Sequence, residues 1–341
     1  MNEANPSTNT MIGYTRNLPV TDPDAFEVRT APVAPPAAGE LLVRVEAVSV
    51  NPVDVKQRAG APSHGFRVLG YDAAGVVEAI GEGVDGFAVG DEVYYAGSIG
   101  RPGSDQRYQA VEARLVGHKP RTATFGDAAS LPLTALTAWE AVFDRLGITE
   151  ESEGDLLVVG ASGGVGSILL QLVRARAPRV RLIGTASARN AEWVRSMGAH
   201  ELVDHNGDLA AQLRALAPKG VRWIFTAHSK GQERLYASVA APFGTIVAID
   251  DGPRDIAVLK GKSIGWLWEL MFTDPLHRPG SRHQAWILDQ VADLVDRGVV
   301  RPTVTDHRGP ISPESLRAAH AAVESGRAVG KVVLEGWADP V

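Results

Sequence analysis

The chain has 341 residues, of which 45% are apolar and 22% are charged, an ordinary composition for a globular protein. Its length predicts two domains, and its net charge of −6 gives no electrostatic reason to expect a nucleic acid or an anionic membrane as a partner. The chain contains no cysteine, which excludes disulfide bonds and thiolate chemistry.

The amino-terminal segment MNEANPSTNT is polar and carries an acidic residue, so it lacks the basic and apolar regions of a secretory signal. Glycines interrupt the longest apolar stretches well before the length that a membrane-spanning helix requires. We therefore expect a cytoplasmic protein that does not span a membrane.

The first part of the chain is predicted to be rich in β-structure. Apolar, β-branched runs occupy residues 41–53, 68–80 and 91–95, between glycine-rich turns. Short strands at this close spacing favour a barrel-like domain. From Phe125 the pattern changes to a helical periodicity that is predicted to end near Gly147, so a domain boundary is expected in this region.

The middle of the chain alternates between strand-like and helix-like segments. This alternation is typical of βαβ units in a doubly wound parallel sheet. After residue 166 the helix-like segments are 191–199 and 209–218, and the strand-like segments are 180–184, 200–205, 221–227 and 244–250.

The last part of the chain reads as two helices followed by a strand. The helical patterns cover residues 282–300 and 312–326, and the strand covers residues 331–336. Ser312 before a proline is a typical helix start, and Gly326 is a typical helix stop.

A glycine-rich turn between a strand and a helix predicts a dinucleotide site. Residues 156–166 read LLVVGASGGVG, and the fingerprint G-x-G-x-x-G is met at its second and third positions, whereas Ala161 holds the first. Glycines at such a turn let backbone N–H groups approach a pyrophosphate at the helix N-terminus. A glycine turn without a ligand remains the alternative. The predicted cofactor contacts in this turn are Ser162, Gly163, Gly164, Val165 and Gly166.

The end of the second predicted strand favours a phosphorylated cofactor. A site that prefers NAD usually carries Asp or Glu at this place, yet residues 184–190 contain no carboxylate. Ser187 can donate a hydrogen bond to a 2′-phosphate and Arg189 can pair with it, so the sequence predicts NADPH. The alternative is that Arg189 is a solvated charge at a helix start.

Five segments together identify a family. Residues 51–54 (NPVD), 69–97, 131–142 (LPLTALTAWEAV), 160–166 and 330–336 (GKVVLEG) resemble the medium-chain dehydrogenase/reductase superfamily in order and spacing over nearly the whole chain. The sequence, including WELMF at residues 268–272, looks most like the zinc-type alcohol dehydrogenase-like subfamily, whose nearest functional relatives are the NADPH:quinone oxidoreductases.

The resemblance implies an α/β fold with two domains. A GroES-like, β-rich catalytic domain is expected over residues 1–135 and 275–341, and a Rossmann domain with a doubly wound parallel sheet over residues 136–274. The resemblance also suggests a homodimer. By correspondence with the family, further cofactor contacts are expected at Thr137, Thr185, His205 and Lys331, with a solvated lysine as the alternative for Lys331.

The residues that would bind zinc in this superfamily are replaced here. The resemblance puts Asn51 in place of a cysteine ligand, and Tyr71 and Asp72 in place of a Gly-His-Glu motif's histidine and glutamate. A catalytic zinc requires about three protein donors, and a structural zinc usually requires cysteine. The sequence therefore predicts no bound metal.

Without zinc, the accessible chemistry is hydride transfer from NADPH to a quinone or to the β-carbon of an enone or enal. The Asn51 amide and the Tyr71 phenol are candidate catalytic donors to the substrate oxygen, and Tyr71 could also deliver a proton. The alternatives are a turn-forming asparagine and a packed tyrosine ring, and Asp54 and Asp72 are expected to order the loop.

Two other functions remain open from the sequence. One is a zinc-dependent alcohol dehydrogenase, and the other is a non-catalytic NADPH-binding sensor or structural protein, because a fold does not guarantee an activity.

Overall fold

The computed structural model describes residues 8–60 and 65–338. The strands, in chain order, are β1 (Thr8–Tyr14), β2 (Glu27–Pro32), β3 (Glu40–Val50), β4 (Arg67–Val68), β5 (Ala73–Ile80), β6 (Glu92–Tyr95), β7 (Tyr108–Glu112), β8 (Val116–His118), β9 (Gly154–Val159), β10 (Val180–Thr185), β11 (Glu201–Val203), β12 (Val221–Thr226), β13 (Ala240–Ala248), β14 (Gly265–Trp268), β15 (Val304–His307) and β16 (Lys331–Glu335).

The α-helices, in chain order, are α1 (Pro52–Ala59), α2 (Phe125–Ala129), α3 (Pro132–Trp139), α4 (Gly164–Arg176), α5 (Ala191–Ser196), α6 (Leu209–Leu216), α7 (Glu233–Val239), α8 (Thr273–His277), α9 (His283–Asp296) and α10 (Pro313–Glu324). A π-helical segment, Glu140–Arg145, continues α3. Short 3-10 helices occupy Pro23–Ala25, Ala113–Leu115, Ala188–Asn190 and Ile256–Lys262. In the described part of the chain, every helix is too short or too polar to cross a bilayer.

The chain divides into two compact units. One unit comprises Met1–Leu133 and Phe272–Val341, and the other comprises Thr134–Met271. The boundaries expected from the sequence are 135/136 and 274/275. Both ends of the chain therefore contribute to the first unit, and the second unit is a continuous segment.

The first unit contains two sheets. The larger has the strand order β15-β16-β3-β5-β6-β8, with β7 also paired to β3, and the smaller has the order β2-β1-β4. All pairs of the larger sheet are antiparallel except β15 with β16. The carboxyl-terminal strand β16 thus lies beside β3, and its register pairs Val332 with Val50.

The second unit is built on one six-stranded parallel sheet. Its strand order is β11-β10-β9-β12-β13-β14, and every neighbouring pair is parallel. Numbered from β9, this is the order 3-2-1-4-5-6 of the dinucleotide-binding doubly wound fold. Leu157, Ile183, Ile224 and Ile246 of adjacent strands are fully buried, as expected where helices cover both faces of a sheet. The predicted doubly wound parallel sheet is confirmed.

The single helical pattern predicted after Phe125 is divided in the structure. Helix α2 ends at Ala129, and Pro132 occupies the first position of α3, where its missing N–H costs nothing. Gly147 follows the π-helical segment with φ of +65°, a left-handed conformation that suits glycine. The predicted start of α10 is confirmed, because the Ser312 hydroxyl accepts a hydrogen bond from the Ser315 N–H at 3.1 Å.

Helix α10 buries an unusual histidine in the first unit. His320 is completely shielded from solvent, and neither ring nitrogen has a hydrogen-bond partner among the residues that the structure describes. The ring packs edge-on against Phe26 with centroids 5.0 Å apart. Burial, together with the positive charge of Arg58, lowers the pKa of His320 to about 3. The side chain is therefore a neutral imidazole in the folded protein at ordinary pH.

This histidine predicts a specific acid sensitivity. The unfolded chain binds a proton at His320 below pH 6.5, whereas the folded protein does not, so protonation favours unfolding. Above pH 6.5 this difference in proton binding does not lower the free energy of unfolding. Below it, the free energy of unfolding falls by up to about 1.4 kcal/mol for each pH unit as the pH approaches the folded pKa. His320→Leu should be more stable than wild type at pH 5 by chemical denaturation, with a smaller gain at pH 8. His307→Leu, at an exposed position, is the control, and identical pH profiles for wild type and His320→Leu would contradict the prediction.

Candidate functional site

The ends of three strands bring Asn51, Asp72 and Lys331 together in the first unit. Asn51 follows the last residue of β3, Lys331 is the first residue of β16, and Asp72 precedes β5. Because β16 and β5 flank β3 on opposite sides, their antiparallel registers place these three residues at one end of the sheet. We refer to Asn51, Asp72 and Lys331 as the buried cluster.

The side chains of the buried cluster bind one another directly. The Lys331 Nζ donates to Asp72 Oδ2 at 3.0 Å, to the Val50 carbonyl at 3.3 Å and to Asn51 Oδ1. The Asn51 amide donates to Asp72 Oδ2 at 2.8 Å and to the Ser49 carbonyl at 3.3 Å. Exposure is 1% for Asn51, 0% for Asp72 and 3% for Lys331. The ion pair between Lys331 and Asp72 is therefore shielded from bulk solvent and held by hydrogen bonds on both sides.

The partners of Asp72 indicate that it is a carboxylate. Its Oδ1 accepts a hydrogen bond from the Leu133 N–H at 2.7 Å, and its Oδ2 accepts from Asn51 and Lys331. Burial raises the pKa of Asp72, and the Lys331 ammonium with the two N–H donors opposes that rise. With Lys331 as an ammonium, all three partners are donors, and this hydrogen-bond pattern fits the ionised form of Asp72.

Asp54 connects the start of α1 to the loop that carries Tyr71. Its Oδ2 accepts from the Asn51 N–H at 2.8 Å, and its Oδ1 accepts from the Gly70 N–H at 3.1 Å. Gly70 has φ of +106°, and a Cβ there would collide with Ser104. Burial raises the pKa of Asp54 to about 7. Asp54 and Asp72 therefore order the loops, as the sequence analysis expected.

Tyr71 keeps its hydroxyl hydrogen. Its ring is buried and meets Phe272 edge-on with centroids 5.3 Å apart. Within residues 8–60 and 65–338 the buried hydroxyl has no hydrogen-bond partner. Burial and the nearby Asp54 raise the pKa of Tyr71 to about 12, against the opposing interaction with the Arg67 guanidinium. The phenol is therefore protonated at neutral pH and can donate a hydrogen bond.

Lys331, Asn51 and Tyr71 differ in whether their side chains have a hydrogen left to donate. Lys331 is buried rather than solvated, and Val50, Asn51 and Asp72 already accept its three ammonium hydrogens. The cofactor contact expected of Lys331 stays a prediction. Both amide hydrogens of Asn51 also have acceptors, so of the two candidate donors only Tyr71 has an unused hydrogen.

The donor set does not fit a catalytic zinc. The buried cluster offers a metal only Asn51 Oδ1 and the Asp72 carboxylate, and both are bound to the Lys331 ammonium. Among the described residues, no three His, Asp or Glu side chains gather as metal ligands would. A catalytic zinc requires about three protein donors and an open position, and the cysteines of a structural site are absent from the chain.

In the second unit, the glycine turn has the geometry of an anion site. Gly160 follows β9 with φ of +84°, and its carbonyl accepts from the Gly163 N–H at 3.1 Å. A Cβ at Gly166 would clash with the Gly160 carbonyl, so this glycine permits close packing of helix against strand. Ala161 holds the first fingerprint position, and the residue before it, Gly160, has the left-handed conformation. In the sequence, the glycine directly after Val159, the last strand residue, is the signal that indicates this left-handed position.

The predicted turn residues border the N-terminus of α4. Ser162, Gly163, Gly164 and Val165 are partly exposed, and Gly166 is buried. Since α4 begins at Gly164, the N–H groups of its first turn lack partners within the helix and carry partial positive charge. The turn can therefore hold a pyrophosphate.

The other predicted cofactor residues fall into two groups. Ser187 and Arg189 follow β10, and His205 follows the neighbouring strand β11. Arg189 and His205 are exposed, while the buried Ser187 hydroxyl has no hydrogen-bond partner in the described ranges. Thr185 instead supports the turn, because its hydroxyl accepts from the Gly160 N–H at 3.1 Å. Thr137 is buried on α3.

A polar cluster that the sequence analysis did not identify lies after β12 and β13. Asp250 accepts from the Ser229 hydroxyl at 2.7 Å and from the Arg254 guanidinium at 2.6 Å. Burial alone would raise the pKa of Asp250, but these donors lower it below its ordinary value. Asp250 ends one predicted strand and Ser229 comes two residues after another, and this placement was the signal available. The cluster fixes the segments that follow both strands.

Comparison with known families identifies the domains. The chain matches the family "Alcohol dehydrogenase GroES-like domain" over residues 37–137 and the family "Zinc-binding dehydrogenase" over residues 197–334. The first match confirms the predicted GroES-like part of the fold.

Individual proteins are similar over nearly the whole chain. A zinc-type alcohol dehydrogenase-like protein of Staphylococcus epidermidis is 36% identical over 334 residues, covering 95% of this chain and 98% of the relative. The human mitochondrial NAD(P)H oxidoreductase RTN4IP1 is 30% identical, covering 86% of this chain and 81% of the relative. The crystal structure of a provisionally assigned zinc-dependent alcohol dehydrogenase from Rhizobium etli CFN 42 matches with a TM-score of 0.93 and 43% identity, covering 97% of this chain and 99% of that chain.

The buried cluster predicts a strong coupling between its two charges. Lys331→Met leaves the Asp72 carboxylate buried without a cation, which should lower the free energy of unfolding by about 3–5 kcal/mol. The double variant Lys331→Met/Asp72→Asn removes that charge and should recover much of the loss in urea denaturation. Lys119→Met is the matched control, because Lys119 is buried but its partner Glu92 is half exposed. Additive losses from the two substitutions would contradict the coupling.

Proposed function

This chain belongs to the zinc-type alcohol dehydrogenase-like proteins of the medium-chain dehydrogenase/reductase superfamily, and we propose that it uses NADPH, without zinc, to reduce a quinone or an α,β-unsaturated carbonyl compound. The membership confirms the family inferred from the sequence and makes the protein an NAD(P)-dependent oxidoreductase. The observation that carries the finer proposal is the Lys331 ammonium bound to Asn51 and Asp72.

The buried cluster supports chemistry without a metal. A catalytic zinc acts as a Lewis acid on an alcohol or carbonyl oxygen, and it needs protein donors that this chain does not bring together. The Lys331 ammonium neutralises the charge of the Asp72 carboxylate, so the buried cluster needs no second cation for electrostatic balance. Quinones and enones are electron-poor enough to accept a hydride without such activation. These acceptors therefore suit the residues present.

The second unit supports the choice of cofactor. The N–H groups at the start of α4 would hold the pyrophosphate, and the Ser187 hydroxyl with the Arg189 guanidinium would hold the 2′-phosphate. Ser187 is notable because a buried hydroxyl without a partner is costly, and an incoming phosphate oxygen would satisfy it. When bound, NADPH supplies the hydride.

Tyr71 is the proposed donor to the substrate oxygen. Negative charge develops on this oxygen during the reduction, and a preorganised donor stabilises that charge. The Tyr71 hydroxyl is protonated and unpartnered, whereas the Asn51 amide is bound within the buried cluster. Asn51, held by Lys331 and Asp72, then acts by fixing the start of α1 and, through Asp54, the loop that carries Tyr71.

The first test is a substrate panel. Purified protein with NADPH should reduce quinones, enones and enals at a rate that a zinc chelator does not change, measured as loss of nicotinamide absorbance. Saturated aldehydes serve as the comparison substrates. Aldehyde reduction that the chelator abolishes and zinc restores would support a zinc alcohol dehydrogenase instead. NADPH binding without oxidation of any substrate in the panel would support a sensor.

The second test addresses the 2′-phosphate. Arg189→Ala should weaken NADPH binding about tenfold, the loss of one charge-assisted hydrogen bond, and should leave NADH binding unchanged in a fluorescence titration. Arg195→Ala, an exposed arginine on α5, is the control for a general change of charge. An equal effect of Arg189→Ala on both cofactors would contradict the assignment of Arg189.

A further inference from the structure

At the centre of the parallel sheet, the side on which successive strands are added changes. From β9 the chain builds β10 and β11 on one side, and then returns to form β12 on the other side of β9. The connections after β9 and β12 therefore diverge, which opens a crevice at the carboxyl ends of these two strands. The glycine turn borders the crevice on one side, and residues 227–229 border it on the other.

His228 lies directly against the glycine turn. A Cβ built on Gly160 would be 3.4 Å from His228 Cδ2 and 3.5 Å from His228 Nε2. These are ordinary van der Waals distances, so the imidazole lies directly beside the turn. The residue is exposed, and across the described ranges its ring makes no hydrogen bond, so the ring nitrogens are available to a ligand.

The backbone of His228 is held rigidly. Its N–H donates to the Thr226 hydroxyl oxygen at 3.1 Å, and its carbonyl accepts from the Tyr236 hydroxyl at 3.1 Å. The next residue, Ser229, donates its N–H to Asp250 at 2.8 Å. These bonds anchor the segment on both sides of His228. A side chain presented from such a segment loses little entropy when it binds a ligand.

We propose that His228 binds the nicotinamide-side phosphate or ribose of the cofactor. Strands β10 and β12 lie on opposite sides of β9, so the residues that follow them lie on opposite sides of the glycine turn. The residues after β10 are those proposed to bind the 2′-phosphate. A dinucleotide whose pyrophosphate lies at the turn would thus extend its nicotinamide half towards His228. An imidazole N–H donates readily to a phosphate or hydroxyl oxygen. The inference rests on the proposed use of NADPH and adds to it a binding residue that no sequence motif indicates.

The test compares a whole ligand with half of it. Adenosine 2′,5′-bisphosphate carries the 2′-phosphate and the adenosine but lacks the nicotinamide half. In isothermal titration calorimetry, His228→Ala should raise the Kd for NADPH about fivefold to tenfold, the effect of losing one hydrogen bond, and should leave the Kd for the bisphosphate unchanged. His228→Asn keeps an N–H donor and should recover part of the affinity.

The controls separate this inference from the proposed function. His205→Ala removes an exposed histidine on the adenosine side, so it should change the two Kd values by the same factor or leave both unchanged. An unchanged Kd for NADPH in His228→Ala, or an equal loss for both ligands in a variant with a wild-type melting temperature, would overturn the inference. A wild-type protein that binds neither ligand would overturn the proposed function and the inference with it.

Discussion

The buried ion pair between Lys331 and Asp72 is the constraint on which the first unit depends. The two residues are 259 positions apart in the chain and meet at 3.0 Å. Removing two charges from water costs several kcal/mol for each ion, and only close pairing with satisfied hydrogen bonds offsets that cost. The ion pair therefore depends on the registers that β16 and β5 adopt beside β3. The carboxyl-terminal strand is locked beside an amino-terminal one as a result.

Hydrogen bonds connect this ion pair to the loop that carries Tyr71, the proposed donor to the substrate. Lys331 and Asp72 hold the Asn51 side chain, and the Asn51 backbone N–H is held by Asp54, which also binds the loop before Tyr71. The phenol is thereby positioned by a chain of hydrogen bonds that starts at the ammonium. In the second unit, Gly160 and Gly166 shape the turn through the absence of side chains. Gly160 has φ of +84°, and Gly166 allows the close approach of the Gly160 carbonyl.

Local patterns in the sequence predicted the elements well. Helix α10 with its Ser312 cap, the central strands of the parallel sheet, and the glycine turn followed from periodicity and turn chemistry, because each depends on residues near one another in the chain. The ion pair could not be predicted in this way. The contact of Lys331 with Asn51 depends on a register between strands 280 residues apart, and no local pattern encodes that register. His228 was missed for the same reason, since its relation to Gly160 arises only when β9 and β12 become neighbours.

The central claim is that an organic cation fills the place of a metal beside Asp72. The most direct measurement is anomalous diffraction at the zinc absorption edge from crystals grown with NADPH and equimolar zinc. The account predicts no anomalous density at the buried cluster, with the Lys331 Nζ within hydrogen-bond distance of both Asn51 Oδ1 and Asp72 Oδ2. Zinc bound to Asp72, with the Lys331 side chain displaced, would contradict it.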